Sequence, residues 1–343
     1  MLALCKLEAK EGGIGLREVD VPSPGAGEIR LKISAAGICG TDMQIYKWAP
    51  RIARRMRLPL VMGHEASGVV DALGTGVTEV AVGDHVSLES HVFCGHCKPC
   101  RSGKAHLCTN TTYPGIDFNG GFAEYAVVPA RIAWKNPSHL PHHIAAMLEP
   151  FGIAVHASME GSGVSGQTVL VNGCGPIGLM NVAAARALGA RTVIACDPNP
   201  LRLATASTMG ADRVVNPKDE DIVRVVRDMT AGDGVDVGIE YSGTEAGFRA
   251  VFECLAKGGD FRLVGAPPTA IPVDFTFWLL KCPRMINIHG RRIWDSWVQA
   301  TPLLYSGKVD LSPIASHILP LKDAAKGFEL ILSGEAVKPI LVP

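Results

Sequence analysis

A chain of 343 residues has material for about two domains and a sizeable core. Lysine plus arginine and aspartate plus glutamate both number 33, so the net charge is zero and no general electrostatic pull toward nucleic acid or an anionic membrane is expected. The N-terminal residues lack the apolar run of a signal peptide, no segment stays apolar long enough to span a bilayer, and the ten cysteines include one dense cluster in metal-like spacing, so a reducing, cytoplasmic setting is expected.

Residues 1–35 carry strand-like patterns broken at Pro22-Ser23-Pro24-Gly25, and Glu28 to Ile33 alternates polar and apolar as a half-buried strand does. Gly37-Ile38-Cys39-Gly40-Thr41-Asp42 follows. Thr41 or Asp42 can cap a short helix through Tyr46, which would put Thr41 and Gln44 on one face. Val61 to Val70, containing Gly63-His64-Glu65, reads as a strand. Cys39, His64 and Glu65 are a thiolate, an imidazole and a carboxylate, a set that suits Zn²⁺ with one position open. Neighbours on a strand point to opposite faces, so His64 and Glu65 share a metal only if the backbone bends, and Gly63 and Gly68 permit that. Otherwise Glu65 stands beside the metal or exchanges onto it. Glycine-punctuated short strands from 66 to 90 complete a turn-rich β domain.

Cys94, Cys97, Cys100 and Cys108 have the spacing C-x2-C-x2-C-x7-C, which can close a tetrahedral zinc site within one loop and leave it no open position. An iron–sulfur cluster is the rival occupant. His91 and His96 lie close by. A helix is expected over 142–148, ending at Glu149-Pro150, where a proline disfavours helix in the residue before it.

From residue 168 the pattern becomes strand, glycine motif, helix, strand. Thr168 to Asn172 is followed by Gly173-Cys174-Gly175-Pro176-Ile177-Gly178, a helical run to Leu188, and the strand Thr192 to Cys196 ending at Asp197. Glycines at Gly173, Gly175 and Gly178 allow a tight turn and close approach of a pyrophosphate. Asp197 lies at the distance at which an acid binds ribose hydroxyls and repels a 2′-phosphate, so NAD is the expected cofactor. Strands at 213–215, 235–240, 259–265 and 285–290 continue a doubly wound sheet. From Thr301 short strand-like pieces return, and they are expected to rejoin the first domain.

Taken together, G-H-E-x-x-G-x-x-x-x-x-G-x-x-V from Gly63, the four-cysteine lobe and G-x-G-x-x-G resemble the zinc-dependent medium-chain dehydrogenase/reductase superfamily over essentially the whole chain. Leu88-Glu89-Ser90-His91, Leu148-Glu149-Pro150-Phe151-Gly152 and Gly290-Arg291-Arg292-Ile293-Trp294 resemble its threonine dehydrogenase branch. The resemblance implies an α/β protein: a GroES-like β-rich catalytic domain over 1–155 and 300–343, and a Rossmann NAD-binding domain over 156–299. It implies a catalytic zinc on Cys39, His64 and Glu65, with Glu149 in the proton relay or as an alternate ligand, and a structural zinc on Cys94, Cys97, Cys100 and Cys108. Thr41 would accept the substrate hydroxyl's proton. Ile177, Asp197, Arg202, Val264, Gly265, Ala266, Ile288 and His289 would contact NAD, beside Gly173, Gly175, Pro176 and Gly178. Two residues depart from that branch, which has histidine at the position of Gln44 and usually asparagine at that of Ile153.

The expected activity is NAD-dependent oxidation of a secondary alcohol. L-threonine, giving 2-amino-3-oxobutanoate, is the leading substrate and a diol or polyol the alternative. A silent nucleotide sensor is disfavoured because Cys39 and His64 are present. A nucleic-acid binder is disfavoured because no basic stripe accompanies the cysteines. The strand at 285–290, as a sheet edge, points to a homodimer or homotetramer.

Overall fold

The computed structural model describes residues 1–343, which divide into two compact units: Met1–Glu149 with Ala315–Pro343, and Pro150–Ile314. The divisions expected at 155 and 300 therefore move to 149 and 314. Helix Asp295–Tyr305 belongs with the second unit, and the first helix after the division, Leu148–Met159, starts at the boundary.

The first unit is built on a seven-stranded sheet. Glu28–Gly37 lies at its centre, antiparallel to Glu65–Leu73 on one side and to Pro339–Val342 and Tyr125–Pro129 elsewhere along its length. Alternation along Glu28–Ile33 buries Ile29, Leu31 and Ile33 against Val70, Val86 and Phe122, as period-2 patterning requires. The C-terminal tail does rejoin this sheet, through the parallel pair His317–Pro320 and Pro339–Val342. Between them it contains a helix, Ala324–Ser333, that the strand-like reading of the tail missed. Its inward residues Ala324 and Phe328, four apart, pack into the same core.

The strand expected over 61–70 is two strands. Leu60–Val61 pairs with Leu2–Lys6 in a three-stranded sheet, and Glu65–Leu73 pairs with Glu28–Gly37 in the large one. The chain changes sheets at Met62-Gly63-His64. Gly63 makes this possible: its φ is +93°, and a Cβ there would stand 2.4 Å from the Phe122 ring. The bend expected as a condition for His64 and Glu65 to act together is thus present.

Two local expectations shift. The N-cap of helix Gly40–Tyr46 is Cys39, ahead of Thr41 and Asp42, and Asp42 completes a capping box: the Cys39 sulfur accepts from Thr41 N–H, and the Asp42 carboxylate accepts from Cys39 N–H at 2.9 Å. The helix expected over 142–148 is a single turn, His142–Ala145, and a new helix starts at Leu148. Glu149 is therefore in a first turn. Pro150 follows it there, where a proline has no partner to lose.

The second unit holds one six-stranded, all-parallel sheet. Its strands are β1 (Thr168–Asn172), β2 (Thr192–Cys196), β3 (Arg213–Val215), β4 (Val235–Glu240), β5 (Leu255–Leu263) and β6 (Arg284–Asn287), in spatial order 3-2-1-4-5-6. This is the doubly wound order, with the strand order reversing between β1 and β4. β1 is buried along its whole length, as a central parallel strand must be.

Candidate active site and dinucleotide site

In the first unit the sheet change at Gly63 turns His64 and Glu65 toward Cys39. Ligand atoms of the three lie within 4.8 Å of one another, and Cys39 Sγ stands 3.0 Å from His64 Nε2. His64 is buried, and its other ring nitrogen, Nδ1, lies 3.8 Å from Asp42 Oδ1. Both of those atoms are buried without a hydrogen-bond partner. Burial alone would lower the His64 pKa, but the facing Cys39 sulfur and the Asp42 carboxylate carry it well above 6.5. Burial raises the Asp42 carboxyl, with His64 opposing. A soft thiolate, an imidazole and a carboxylate, with an acid behind the imidazole, fit a zinc ion. Asp42 was read as a helix cap; its complete burial beside His64 is visible only in three dimensions.

Glu65 has a partner that sequence reading missed. The ammonium of Lys338, from the far end of the chain, donates to Glu65 Oε2, and both side chains are almost fully buried. Burial works against the Lys338 charge, but Glu65 and then Cys39 offset it, and its pKa is raised. One Glu65 oxygen is thus engaged by the lysine. Glu149 is not in the three-residue ligand group. It is buried and accepts a hydrogen bond from Ser90 Oγ. Its charge acts on both His64 and Glu65.

Thr41 is half-buried one residue past Gly40, and Gln44 is exposed three residues further along the same helix. His91 is buried, its Nδ1 3.0 Å from Glu89 Oε1, and packs edge-on against Tyr113. His96 is exposed.

The second thiol group is local. Cys94, Cys97, Cys100 and Cys108 converge with sulfur–sulfur distances of 3.4 Å for Cys97–Cys100 and 3.8 Å for Cys97–Cys108. Backbone amides are aimed at the sulfurs: Cys94 N–H and Asn110 N–H at Cys108 Sγ, and Cys97 N–H at Cys94 Sγ. Amide donors favour thiolate. Cys94 falls to about 5, with the His96 amide the leading cause, whereas burial and the Cys97 thiol push Cys100 up to about 12. Four thiols closing on one point fit a tetrahedral zinc with no open position.

In the second unit the glycine motif joins β1 to helix Pro176–Ala187, with Gly175 as its N-cap. A Cβ on Gly175 would meet nothing within 4 Å, so the space in front of the helix N-terminus is open and a side chain would fill it. That is the cradle a pyrophosphate needs. Pro176 and Ile177 occupy the first helical positions, half-buried. Asp197 sits at the end of β2, buried. Its Oδ2 accepts from Cys174 N–H and its Oδ1 from Asn199 N–H, both at 2.8 Å, and Arg202 Nη1 lies 3.6 Å away. Each carboxylate oxygen keeps a further lone pair for a ribose hydroxyl. Val264 and Gly265 follow β5, and both amides donate to Glu240 O. Ala266 and His289 are exposed, and Ile288 is buried with its amide on Leu263 O.

A two-ligand-set first unit and a doubly wound second unit with a glycine-lined phosphate cradle define a zinc- and dinucleotide-dependent alcohol dehydrogenase. Residues 25–138 match the alcohol dehydrogenase GroES-like domain and residues 176–306 the zinc-binding dehydrogenase domain. The chain is 43% identical over 332 residues to the L-threonine 3-dehydrogenase of Bacillus velezensis, covering 96% of each. It is 42% identical over 345 residues to that of Pyrococcus horikoshii, covering 100% of this chain and 98% of that one. Among solved structures, Escherichia coli galactitol-1-phosphate dehydrogenase superposes with a TM-score of 0.92 at 26% identity, covering all of both chains. The 2R,3R-butanediol dehydrogenase of Bacillus subtilis does so at 0.90 and 27%, covering 100% of this chain and 99% of that one. The chain belongs to the zinc-dependent medium-chain dehydrogenase/reductase family, as an NAD-dependent alcohol dehydrogenase with zinc as its metal. No helix is long and apolar enough to cross a membrane.

Proposed function

We propose that this enzyme oxidises the 3-hydroxyl of L-threonine: threonine and NAD⁺ give 2-amino-3-oxobutanoate, NADH and a proton. The observation that carries the assignment is the full-length likeness, at 40–43% identity, to L-threonine 3-dehydrogenases. Cys39 and His64, with Glu65 beside them, would hold the zinc, which would supply Lewis acidity toward the alcohol. The chain's own groups do the rest. Asp42 faces His64 Nδ1 and so leaves Nε2 turned toward the Cys39 sulfur. Lys338 holds Glu65 so that one carboxylate oxygen stays engaged. Thr41 takes the hydroxyl proton and passes it on. Gln44, next on that helix face, hydrogen-bonds but does not titrate near neutral pH, so the proton would have to be taken on by water or by another titrating group, with His91 and His289 as candidates. In the nucleotide unit, Asp197 would receive the adenosine ribose and repel a 2′-phosphate, which selects NAD⁺ over NADP⁺. The cytoplasm is the reducing setting that keeps the ligand thiols available.

Gln44 and Ile153 favour a second substrate class, a diol or polyol, because they replace the histidine and asparagine of the threonine branch. Initial rates with threonine, butanediols and sugar alcohols, each with NAD⁺ and NADP⁺, separate the two. Threonine with NAD⁺ is expected to give the highest kcat/KM, and Gln44→His to raise kcat on threonine. Efficient turnover of a diol, with Gln44→His no faster on threonine, would reassign the substrate.

We also infer self-association through the edge of the nucleotide sheet. β6 has a neighbour on one side only, and the helix before it in the chain, Phe275–Lys281, exposes Phe275 at 79%, Leu279 at 76% and Leu280 at 68%. An unpaired strand edge is normally covered, as are exposed aromatic and aliphatic side chains. A dimer or tetramer is expected in light scattering at micromolar concentration, and a monomer there would refute it.

A further inference from the structure

We propose that Glu240 is a positioning residue for the nicotinamide half of the dinucleotide. It is the last residue of β4 and only 1% exposed, and no lysine or arginine pairs with it. Its carboxylate is instead surrounded by N–H and O–H donors from the loop that follows it and from the last residue of β1. Oε1 accepts from Ser242 N–H at 2.8 Å, from Ser242 Oγ and from Asn172 Nδ2 at 3.2 Å, and Oε2 accepts from Gly243 N–H at 3.0 Å. Its backbone carbonyl accepts from Val264 N–H at 2.9 Å and Gly265 N–H at 2.8 Å. One residue therefore ties the ends of β1, β4 and β5 together.

These loops touch through backbone. A Cβ on Gly173 would stand 2.6 Å from Ser242 N, and one on Gly265 would stand 2.4 Å from Gly243 N. With so little space, loop register depends on what holds the amides, and a buried carboxylate is an acceptor-only template for them. Its position sets which part of the cofactor it serves. The strand order reverses between β1 and β4, and a dinucleotide lies across that point with one half on each side. Asp197 ends β2, on one side. Glu240 ends β4, on the other; its carboxylate orders the loop 241–243, and that loop in turn packs against Gly265. Glutamine has the same shape but would turn an N–H₂ toward Ser242 N–H or Gly243 N–H. Aspartate is too short to reach both Asn172 and the amides of Ser242 and Gly243.

The assignment of halves rests on the reading of Asp197 given above, and the test separates the two. NADH affinity, by quenching of protein fluorescence, and AMP affinity, by calorimetry, would be measured on the zinc-loaded wild type, Glu240→Gln, Ser242→Ala and Asp197→Ala. Glu240→Gln is expected to weaken NADH by on the order of 10- to 100-fold, the loss of charge-assisted hydrogen bonds. Ser242→Ala, which removes one hydroxyl donor and leaves the fold intact, should weaken NADH less and in the same direction. AMP affinity should change by less than about two-fold in both variants, zinc should stay at two equivalents, and KM for NAD⁺ should rise more than kcat falls. Unchanged NADH affinity in Glu240→Gln overturns the proposal. Parallel loss of AMP and NADH with a broadened thermal transition overturns it too, since Glu240 would then only hold the unit together. If AMP is lost in Glu240→Gln and spared in Asp197→Ala, the halves are reversed and the reading of Asp197 fails along with the proposal.

Discussion

Cys39→Ser is expected to remove one of two zinc equivalents and to lower kcat/KM for alcohol oxidation by on the order of 10³-fold or more, the several kcal/mol a Lewis acid contributes. The first cause is the donor set: a hydroxyl replaces the one soft ligand among Cys39, His64 and Glu65. The second is the helix. Cys39 caps Gly40–Tyr46 through its sulfur, so the same substitution disturbs the segment that carries Thr41. Serine is itself a good cap, which limits the folding penalty to well under about 1 kcal/mol. Elemental analysis beside initial rates checks both parts. Retention of two zincs, or activity within ten-fold of wild type, would remove Cys39 from the metal site.

Cys100→Ser should act on the other zinc, with a different signature. The segment from Cys94 to Cys108 contains only a single helical turn, Lys98–Arg101, and a 3₁₀ turn, Ala105–Leu107, and of its residues only Ala105, His106 and Cys108 are buried. With so little core, its order depends on the metal, because site formation and folding are one event. Losing a ligand should release the loop, and Arg101 and Lys104 then become trypsin sites, whereas Lys98 stays protected by the proline after it. Cleavage there is expected to accelerate by on the order of ten-fold or more, since local opening no longer works against metal binding. The substitution should also lower zinc to one equivalent and leave NADH affinity unchanged, the nucleotide unit being separate. A loop as resistant as wild type, with both zincs bound, would show that the thiols do not share a metal.

Both sites were legible in the sequence to the degree that their parts are close together in the chain. Four cysteines within fifteen residues meet because a loop that short closes at little entropic cost, and a glycine motif between a strand and a helix carries its own geometry. Cys39 and His64 could be nominated as a pair, but the sheet change that turns His64 and Glu65 into one place depends on Phe122 filling the space where a Cβ of residue 63 would go. The helix Ala324–Ser333 lies in a tail whose short apolar pieces read as strands, and its inward stripe has meaning only against the sheet it covers.

Residue types and spacing name the candidate chemistry: two sets of residues that could hold metal, a glycine motif open to a phosphate and an acid placed for ribose. Tertiary structure alone decided which residues govern them. Lys338 reaches Glu65 across 273 positions, Asp42 stands behind His64 with one oxygen while the other keeps the Cys39 amide, and Glu240 takes Asn172 Nδ2 from the end of β1 on its carboxylate and the Val264 and Gly265 amides after β5 on its carbonyl. None of these partners has a local pattern, because a buried charge is recognised by what surrounds it, and those surroundings exist only once distant strands have paired.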